Sequence, residues 1–180
     1  MLFAPFAGEA VCRRVANPAA RPGTPNMEPR HALDGAAWLW HPDLPINTPG
    51  CVLFRLGVKS PRAETVRLQV SGDLCFVLAL DGAVIARGPD TGDVTHWSFA
   101  TYELRLAAGN HRLEALVWWA DIPQAPEGRM TWHGGFACAG LDGAAKRFTT
   151  GVAPWRVARL EGLEWGEKLK DNGWYGFLPN

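Results

Sequence analysis

The sequence lacks an apolar run of the length that a membrane-spanning helix needs, about 18 residues, so no membrane partner is expected. Residues 1–9 contain no lysine or arginine, and Pro5 interrupts their short apolar stretch. A secretory signal is therefore not supported. Net charge is also absent, because lysine plus arginine equals aspartate plus glutamate at 18 each. With no cationic cluster in the sequence, nucleic acid is not an expected partner.

Cysteine is scarce, and the four residues at 12, 51, 75 and 138 include no closely spaced pair of the zinc or redox type. Cys75 lies in an apolar run, which predicts a small buried hydrophobe. The low count favours free thiols in a reducing compartment, which slightly favours the cytoplasm. A disulfide such as Cys51 with Cys138 stays open as the alternative.

The sequence also lacks the usual patterns of metal sites and of sites for nucleophilic catalysis. The five histidines show no metal-ligand spacing, and no Asp-x-Asp-x-Asp run offers calcium ligands. No Gly-x-Ser-x-Gly elbow is present either. We expect no metal and no cofactor.

What the sequence does contain is a series of short runs with a period of two, the pattern of β-strands. Apolar residues alternate with polar or small ones over 52–58 and 66–71, and residues 76–80 are apolar on both faces, which predicts a strand with neighbours on both sides. Asp81-Gly82 follows directly and predicts a tight type I′ hairpin turn. Further strands are predicted at 83–86, 102–104, 112–119, 135–140, 147–150 and 155–158.

The strands and the lack of a helical stripe together predict an all-β fold. The expected architecture is a jelly-roll-like antiparallel β-sandwich of the galactose-binding-domain type with few or no helices. Proline punctuates residues 1–35, which are expected to be an extended or disordered lead-in, part of which could lie across the domain as a strap. Residues 36–160 are the predicted sandwich domain. Residues 161–180 are the predicted C-terminal tail, with a weak helix-like piece over 161–170 and a possible start of a truncated next domain.

A set of short motifs in this order resembles the N-terminal β-sandwich domain of bacterial α-L-rhamnosidases and rhamnosidase-like proteins. The opening motif resembles that domain's start, the run ending in Asp-Gly resembles its central hairpin, and the closing Trp-Arg resembles its last strand. The motifs are Ala37-Trp38-Leu39-Trp40-His41, Phe54-Arg55, the run 73–82, Arg87-Gly88-Pro89, Gly92-Asp93, Trp97, Tyr102, Leu104, Gly109-Asn110-His111 and Trp155-Arg156.

The resemblance implies a non-catalytic accessory domain, because in such proteins the catalytic acids belong to a separate helical barrel that this chain does not contain. It further implies a partner, either a rhamnose-containing glycan or a catalytic domain. The chain is accordingly expected to be a fragment, a split gene product or a stand-alone accessory module of a glycoside hydrolase, and not itself an enzyme. The alternative is a structural or protein-interaction sandwich with no sugar ligand.

Six residues form the candidate carbohydrate site, with no catalytic or metal residue among them. They combine hydrogen-bonding groups with aromatic rings on which the apolar face of a pyranose can stack. The favoured alternative is purely structural: Arg87 and Asp93 form an ion pair that holds the loop 88–98 in place. The candidate residues are Asp73, Arg87, Asp93, His96, Trp97 and Trp132.

A catalytic carboxylate pair is a weaker hypothesis. Glycoside hydrolysis needs two carboxylates flanking one bond, and the candidates are Asp73, Asp90, Asp93 and Asp121. Each has a structural alternative, because a loop aspartate commonly bonds its own backbone.

Two tryptophan pairs carry a geometric expectation. Trp118 and Trp119 are adjacent and should face opposite sides of a strand. Trp38 and Trp40 should share one face of an extended segment, so at least one of them is expected in the core.

Overall fold

The computed structural model describes residues 12–15, 32–45, 48–90, 98–119 and 134–162, and these form nine strands with two short helical segments. The helical segments are a 3-10 turn at Ala32–Gly35 and α1 at Ala145–Phe148. The strands are β1 (Cys12–Val15), β2 (Gly50–Ser60), β3 (Glu64–Asp73), β4 (Cys75–Leu80), β5 (Ala83–Gly88), β6 (Ala100–Leu106), β7 (Gly109–Trp119), β8 (Gly135–Gly140) and β9 (Arg156–Arg159).

The strands build two antiparallel sheets that pack face to face. One sheet has four strands in the order β1-β6-β3-β8, and the other has five in the order β5-β4-β7-β2-β9. Crossovers rather than simple meanders connect the strands, as in a jelly roll. The all-β sandwich predicted from the alternating runs is confirmed. Among the described residues, neither helical segment is long and apolar enough to cross a membrane.

The core lies between the sheets and follows the period-two pattern of each strand. Phe54 on β2 and Phe136 on β8 stack across the two sheets, with ring centroids 5.0 Å apart. Trp155 meets Phe136 edge-on at 5.3 Å. All three rings pack in one cluster, and both phenylalanines are fully buried. Burial of such side chains is the main force that holds the two sheets together.

The predicted hairpin at Asp81-Gly82 is confirmed. Leu80 and Ala83 face each other across a two-residue turn in which φ is 51° at Asp81 and 87° at Gly82. Glycine and aspartate tolerate this left-handed backbone, which a type I′ turn requires at both positions. Strand β4, apolar on both faces, indeed lies between two neighbours, β5 and β7.

The strand predicted at 147–150 is wrong, because α1 begins two residues earlier and ends within that range. A turn at Asp142 and Gly143, with φ of 50° and 85°, reverses the chain after β8. The segment then folds back on β8, where Thr149 Oγ1 accepts a hydrogen bond from the Gly140 amide at 3.1 Å. Threonine is common in strands, but Thr149 lies outside any strand and its hydroxyl accepts from an amide of the edge strand β8.

Strand β1 and the 3-10 turn both fall within residues 1–35, to which the sequence assigned no element. β1 pairs with β6 from Cys12 opposite Leu104 to Val15 opposite Thr101. A run of four residues is too short to reveal a period. The domain boundaries at 36 and 160 stay predictions, and residues 163–170 of the helix-like piece lie outside the described part.

Free thiols are confirmed for three cysteines, Cys51, Cys75 and Cys138, and the alternative disulfide between Cys51 and Cys138 is wrong. Cys138 points into the core, whereas Cys51 lies on the outer face of the five-stranded sheet. Burial raises the pKa of Cys51 to about 11 and also raises the pKa of Cys138. These thiols are therefore inert hydrophobes.

Candidate functional site

One end of the sandwich gathers the ends of strands from both sheets, and we call it the Asp73 end. Here β3 finishes at Asp73 opposite Gly135, the first residue of β8. In the other sheet, β7 finishes at Trp119 opposite Gly50. β5 also finishes here, at Gly88. A single residue between β3 and β4 carries the chain from one sheet to the other at this end.

Asp73 itself is fully buried. Its neighbourhood is polar, since Ser71 Oγ, two residues earlier on the same strand, donates to the carbonyl of Ser98 at 2.7 Å. A carboxylate is costly to bury unless hydrogen bonds or opposite charges compensate for the lost water. The predicted role of Asp73 as a sugar ligand stays a prediction.

Two tryptophans pack against a pair of glycines at the Asp73 end. A Cβ on Gly134 would lie 2.2 Å from the Trp40 ring, and one on Gly135 would lie 2.7 Å from the Trp38 ring. Only glycine permits this close approach. Trp40 is partly buried and packs against the core beside Phe54, at 6.5 Å between ring centroids, so the expectation that at least one of the pair belongs to the core is met only in part.

Arg87 lies on β5 near the Asp73 end and is exposed. It pairs with Val77 of β4, and its carbonyl accepts a long hydrogen bond of 3.4 Å from the Tyr102 hydroxyl. Among the described residues its guanidinium makes no ion pair. The suggested ion pair with Asp93 stays a prediction, because that residue lies outside the described part.

The other four candidates, Asp93, His96, Trp97 and Trp132, also lie outside the described residues. These residues belong to two segments of the chain, and the strands next to each segment adjoin it at the Asp73 end. Residues 91–97 follow β5 and precede β6, while residues 120–133 connect β7 to β8. The backbone therefore attaches both segments to the end that also holds Asp73. That their side chains gather there is still a prediction.

The expectation for the adjacent tryptophans is confirmed. Trp119 faces the core with 1% of its surface exposed, whereas Trp118 is half-buried on the outer face of the five-stranded sheet.

A group of charged residues that the sequence did not single out occupies that outer face. Glu114, at the middle of β7 and only 4% exposed, accepts hydrogen bonds from Arg55 on β2. Arg55 Nε and Nη2 both lie 2.8 Å from Glu114 Oε1, and Arg112 Nε lies 3.2 Å from Oε2. The alternation places all three residues outward, but only the pairing register, with Arg55 opposite Glu114, brings them together.

A histidine–aspartate pair joins the β4–β5 turn to the start of β7, at the opposite end from Asp73. His111 Nδ1 lies 2.7 Å from Asp81 Oδ2, and Nε2 lies 2.9 Å from the Ala107 carbonyl. Both ring nitrogens face oxygen acceptors, which favours the imidazolium form. The hydrogen bond to Asp81 is the main cause that raises the pKa of His111 above its ordinary value.

Several described carboxylates are committed to structural partners. Besides Glu114 and Asp81, Asp142 pairs with Arg67 at 2.5 Å. Glu64 pairs with Arg147 at 2.8 Å and also accepts from Ser60. Arg147 is the main cause that lowers the pKa of Glu64. Within the described ranges, no group of three or more histidine, cysteine, aspartate or glutamate residues could hold a metal ion.

Comparison with known proteins shows the fold. No known protein family and no curated protein matches the sequence. Among solved structures, the chain is similar to a GH78 family rhamnosidase of Bacillus sp. GL1, with 20% identity and a TM-score of 0.58. The match covers 69% of this chain and 13% of the rhamnosidase. At this identity, the likeness establishes a shared β-sandwich fold.

Two structures of a lectin from Pleurotus ostreatus are also similar, one in complex with GalNAc and one in the apo form. Both are 17% identical, with TM-scores of 0.49 and 0.47, and the chain covers 36% of each. The chain spans only a small part of each of these proteins.

Proposed function

We propose that this chain is a non-catalytic, carbohydrate-binding β-sandwich of an α-L-rhamnosidase-like protein. Its ligand is a rhamnose-containing glycan, which it binds at the Asp73 end. Arg87, Asp93 and His96 supply polar contacts there, and Trp97 and Trp132 supply stacking surfaces. Asp73 is fully buried, so its part in the site is to position this end of the sandwich and not to contact the glycan directly.

The fold match carries this proposal. The part of a GH78 rhamnosidase that is similar to this chain makes up 13% of the length of that protein, and the order of motifs from Ala37 to Arg156 resembles the accessory domain of such enzymes. A segment that occupies so small a share of an enzyme fits an accessory role better than a catalytic one.

The surface of the described residues favours a sugar over a protein partner. A docking face is expected to expose a contiguous apolar patch. In the described ranges, the large hydrophobic side chains that are well exposed are Val84, Val152 and Val157, at 43%, 59% and 38%. Val84 and Val157 stand on opposite edge strands, and Val152 follows α1. These three well-exposed side chains are too scattered to form one apolar patch.

The test is titration with L-rhamnose and rhamnose-bearing oligosaccharides, followed by tryptophan fluorescence. The chain has nine tryptophans, so each single variant keeps eight reporters, and calorimetry checks affinity independently of the signal. We expect saturable binding to the native chain and its loss in Trp97→Ala and Trp132→Ala.

Val84→Ala is the matched control, because it removes an exposed side chain near the β4–β5 turn at the opposite end of the sandwich. It should bind like the native chain. No response to any glycan would overturn the proposal and turn attention to docking on a catalytic domain. Binding that survives both tryptophan substitutions would contradict the assigned location.

A further inference from the structure

We propose a second site, for a small ligand that carries an oxyanion such as a carboxylate or a sulfate. The site is a notch over Gly57 on the outer face of the five-stranded sheet, bordered by Arg55, Lys59, Arg112 and Arg156, and we call it the cationic notch. It is independent of the carbohydrate site proposed for the Asp73 end.

The notch is open because Gly57 has no side chain. A Cβ built on Gly57 would meet no heavy atom within 4 Å. Gly57 lies directly opposite Arg112 and between Arg55 and Lys59 on the same face of β2. Residues two apart on a strand are about 7 Å apart, and neighbouring strands are about 5 Å apart. Three cationic side chains therefore lie within reach of one oxyanion that rests on Gly57.

The charges around the notch are not balanced. Arg156 faces Arg55 across the β2–β9 pair, which brings the cationic side chains to four against one contacting carboxylate, Glu114. Like charges directly opposite each other destabilise a pair of strands. Asp81, whose Oδ1 accepts from the Arg112 amide, is bonded to His111 through its other oxygen. An added anion would relieve this excess of positive charge.

The arginines are already positioned and still have free donors. Arg55 and Arg112 both form ion pairs with the buried Glu114, and their side chains remain 51% and 54% exposed. A guanidinium has five N–H donors. Arg55 uses Nε and Nη2, and Arg112 uses Nε alone. No other described residue bonds these guanidiniums, so within that part of the chain the Nη1 group of Arg55 and both Nη groups of Arg112 are left for a ligand, which gives the planar fork that suits oxyanions.

Sodium sulfate is the first probe, titrated against the full chain by calorimetry, with sodium chloride at matched ionic strength as the baseline. We expect saturable sulfate binding and a rise in Tm with sulfate that chloride does not give. Gly57→Thr fills the notch without removing a charge and suits an exposed strand position. It should weaken sulfate binding about tenfold or more while circular dichroism stays unchanged.

A double variant, Lys59→Gln with Arg156→Gln, gives a second test should the threonine variant fold poorly. Neither side chain has an ion pair with a described residue. It should lose most of the sulfate response, whereas Arg105→Gln, which removes one exposed charge from the four-stranded sheet, should keep it. D-glucuronate, with neutral D-glucose as its control, then tests whether the oxyanion belongs to a sugar acid.

Competition of glucuronate with sulfate would assign a sugar acid to the notch, and sulfate alone would assign an inorganic oxyanion. Glucose should do nothing. No saturable binding of either anion, or equal binding by Gly57→Thr and the native chain, would overturn the proposal. Rhamnose binding at the Asp73 end is measured separately on Gly57→Thr, so failure of one site is distinguishable from failure of the other.

Discussion

Replacement of Glu114 by glutamine should show how much the buried carboxylate contributes to stability. The amide keeps the size of the side chain but removes the charge that Arg55 and Arg112 contact at 2.8 Å and 3.2 Å. Removing one partner of a fully buried ion pair costs about 3–5 kcal/mol. Here both guanidiniums are half exposed and regain water, so we expect a loss of about 1–2 kcal/mol.

Urea denaturation at pH 7 measures this loss, with Glu103→Gln on the other sheet as the matched control. Glu103 lies opposite Arg67 and attracts its charge, but exposed charge pairs contribute only about 0–1 kcal/mol, so its substitution should change the free energy of unfolding by about 0.5 kcal/mol. The Glu114 effect should persist in concentrated salt, since a buried carboxylate is poorly screened. A loss no larger than that of the control would refute the role assigned to Glu114.

Three further predictions follow from the described contacts. Phe136→Ala, which empties a fully buried position between the sheets, should lower the free energy of unfolding by about 3–5 kcal/mol in urea; a loss below about 1 kcal/mol would contradict the two-sheet core. Asp81→Asn should remove the stabilisation that the charged His111 gives the native chain. Because the folded pKa of His111 is raised, this stabilisation is complete below about pH 6.5 and fades as the pH rises through the folded pKa. Parallel curves of stability against pH for the two proteins would refute this. Cys138 should stay unmodified by a thiol reagent until the chain unfolds, since burial raises its pKa; labelling of native protein at Cys138 would overturn that account.

The asparagine variant is a clean comparison for the pH measurement. Asparagine also tolerates the left-handed backbone at position 81, where φ is 51°, so the turn is kept. Glu64 contributes a weaker attraction to His111 and is unchanged in both proteins. The difference between the curves therefore reports the Asp81 interaction alone.

Local pattern was sufficient for most of the strands after residue 50 and for the turn at Asp81-Gly82, but it missed β1 and wrongly placed a strand at 147–150. Period-two alternation located β2, β3 and β7, and adjacency alone placed Trp118 and Trp119 on opposite faces. These features depend on backbone geometry within a few residues, which a sequence expresses directly.

Pairing between distant segments was out of reach of the same reasoning. Arg55 and Glu114 are 59 residues apart, and nothing in either strand specifies that they stand opposite each other. The same holds for Thr149, whose hydroxyl completes the edge of β8 in place of a strand of its own. The glycines at 134 and 135 did carry a signal, because adjacent glycines at the start of an apolar strand indicate a close approach, here by Trp40 and Trp38.

Backbone amide NMR during addition of L-rhamnose tests the central claim most directly, because it reports where the ligand binds as well as whether it does. The account predicts saturable shifts that cluster at the Asp73 end, at Asp73, Gly88 and Gly135. Unchanged spectra at saturating rhamnose, or shifts concentrated around Asp81 at the opposite end, would contradict it.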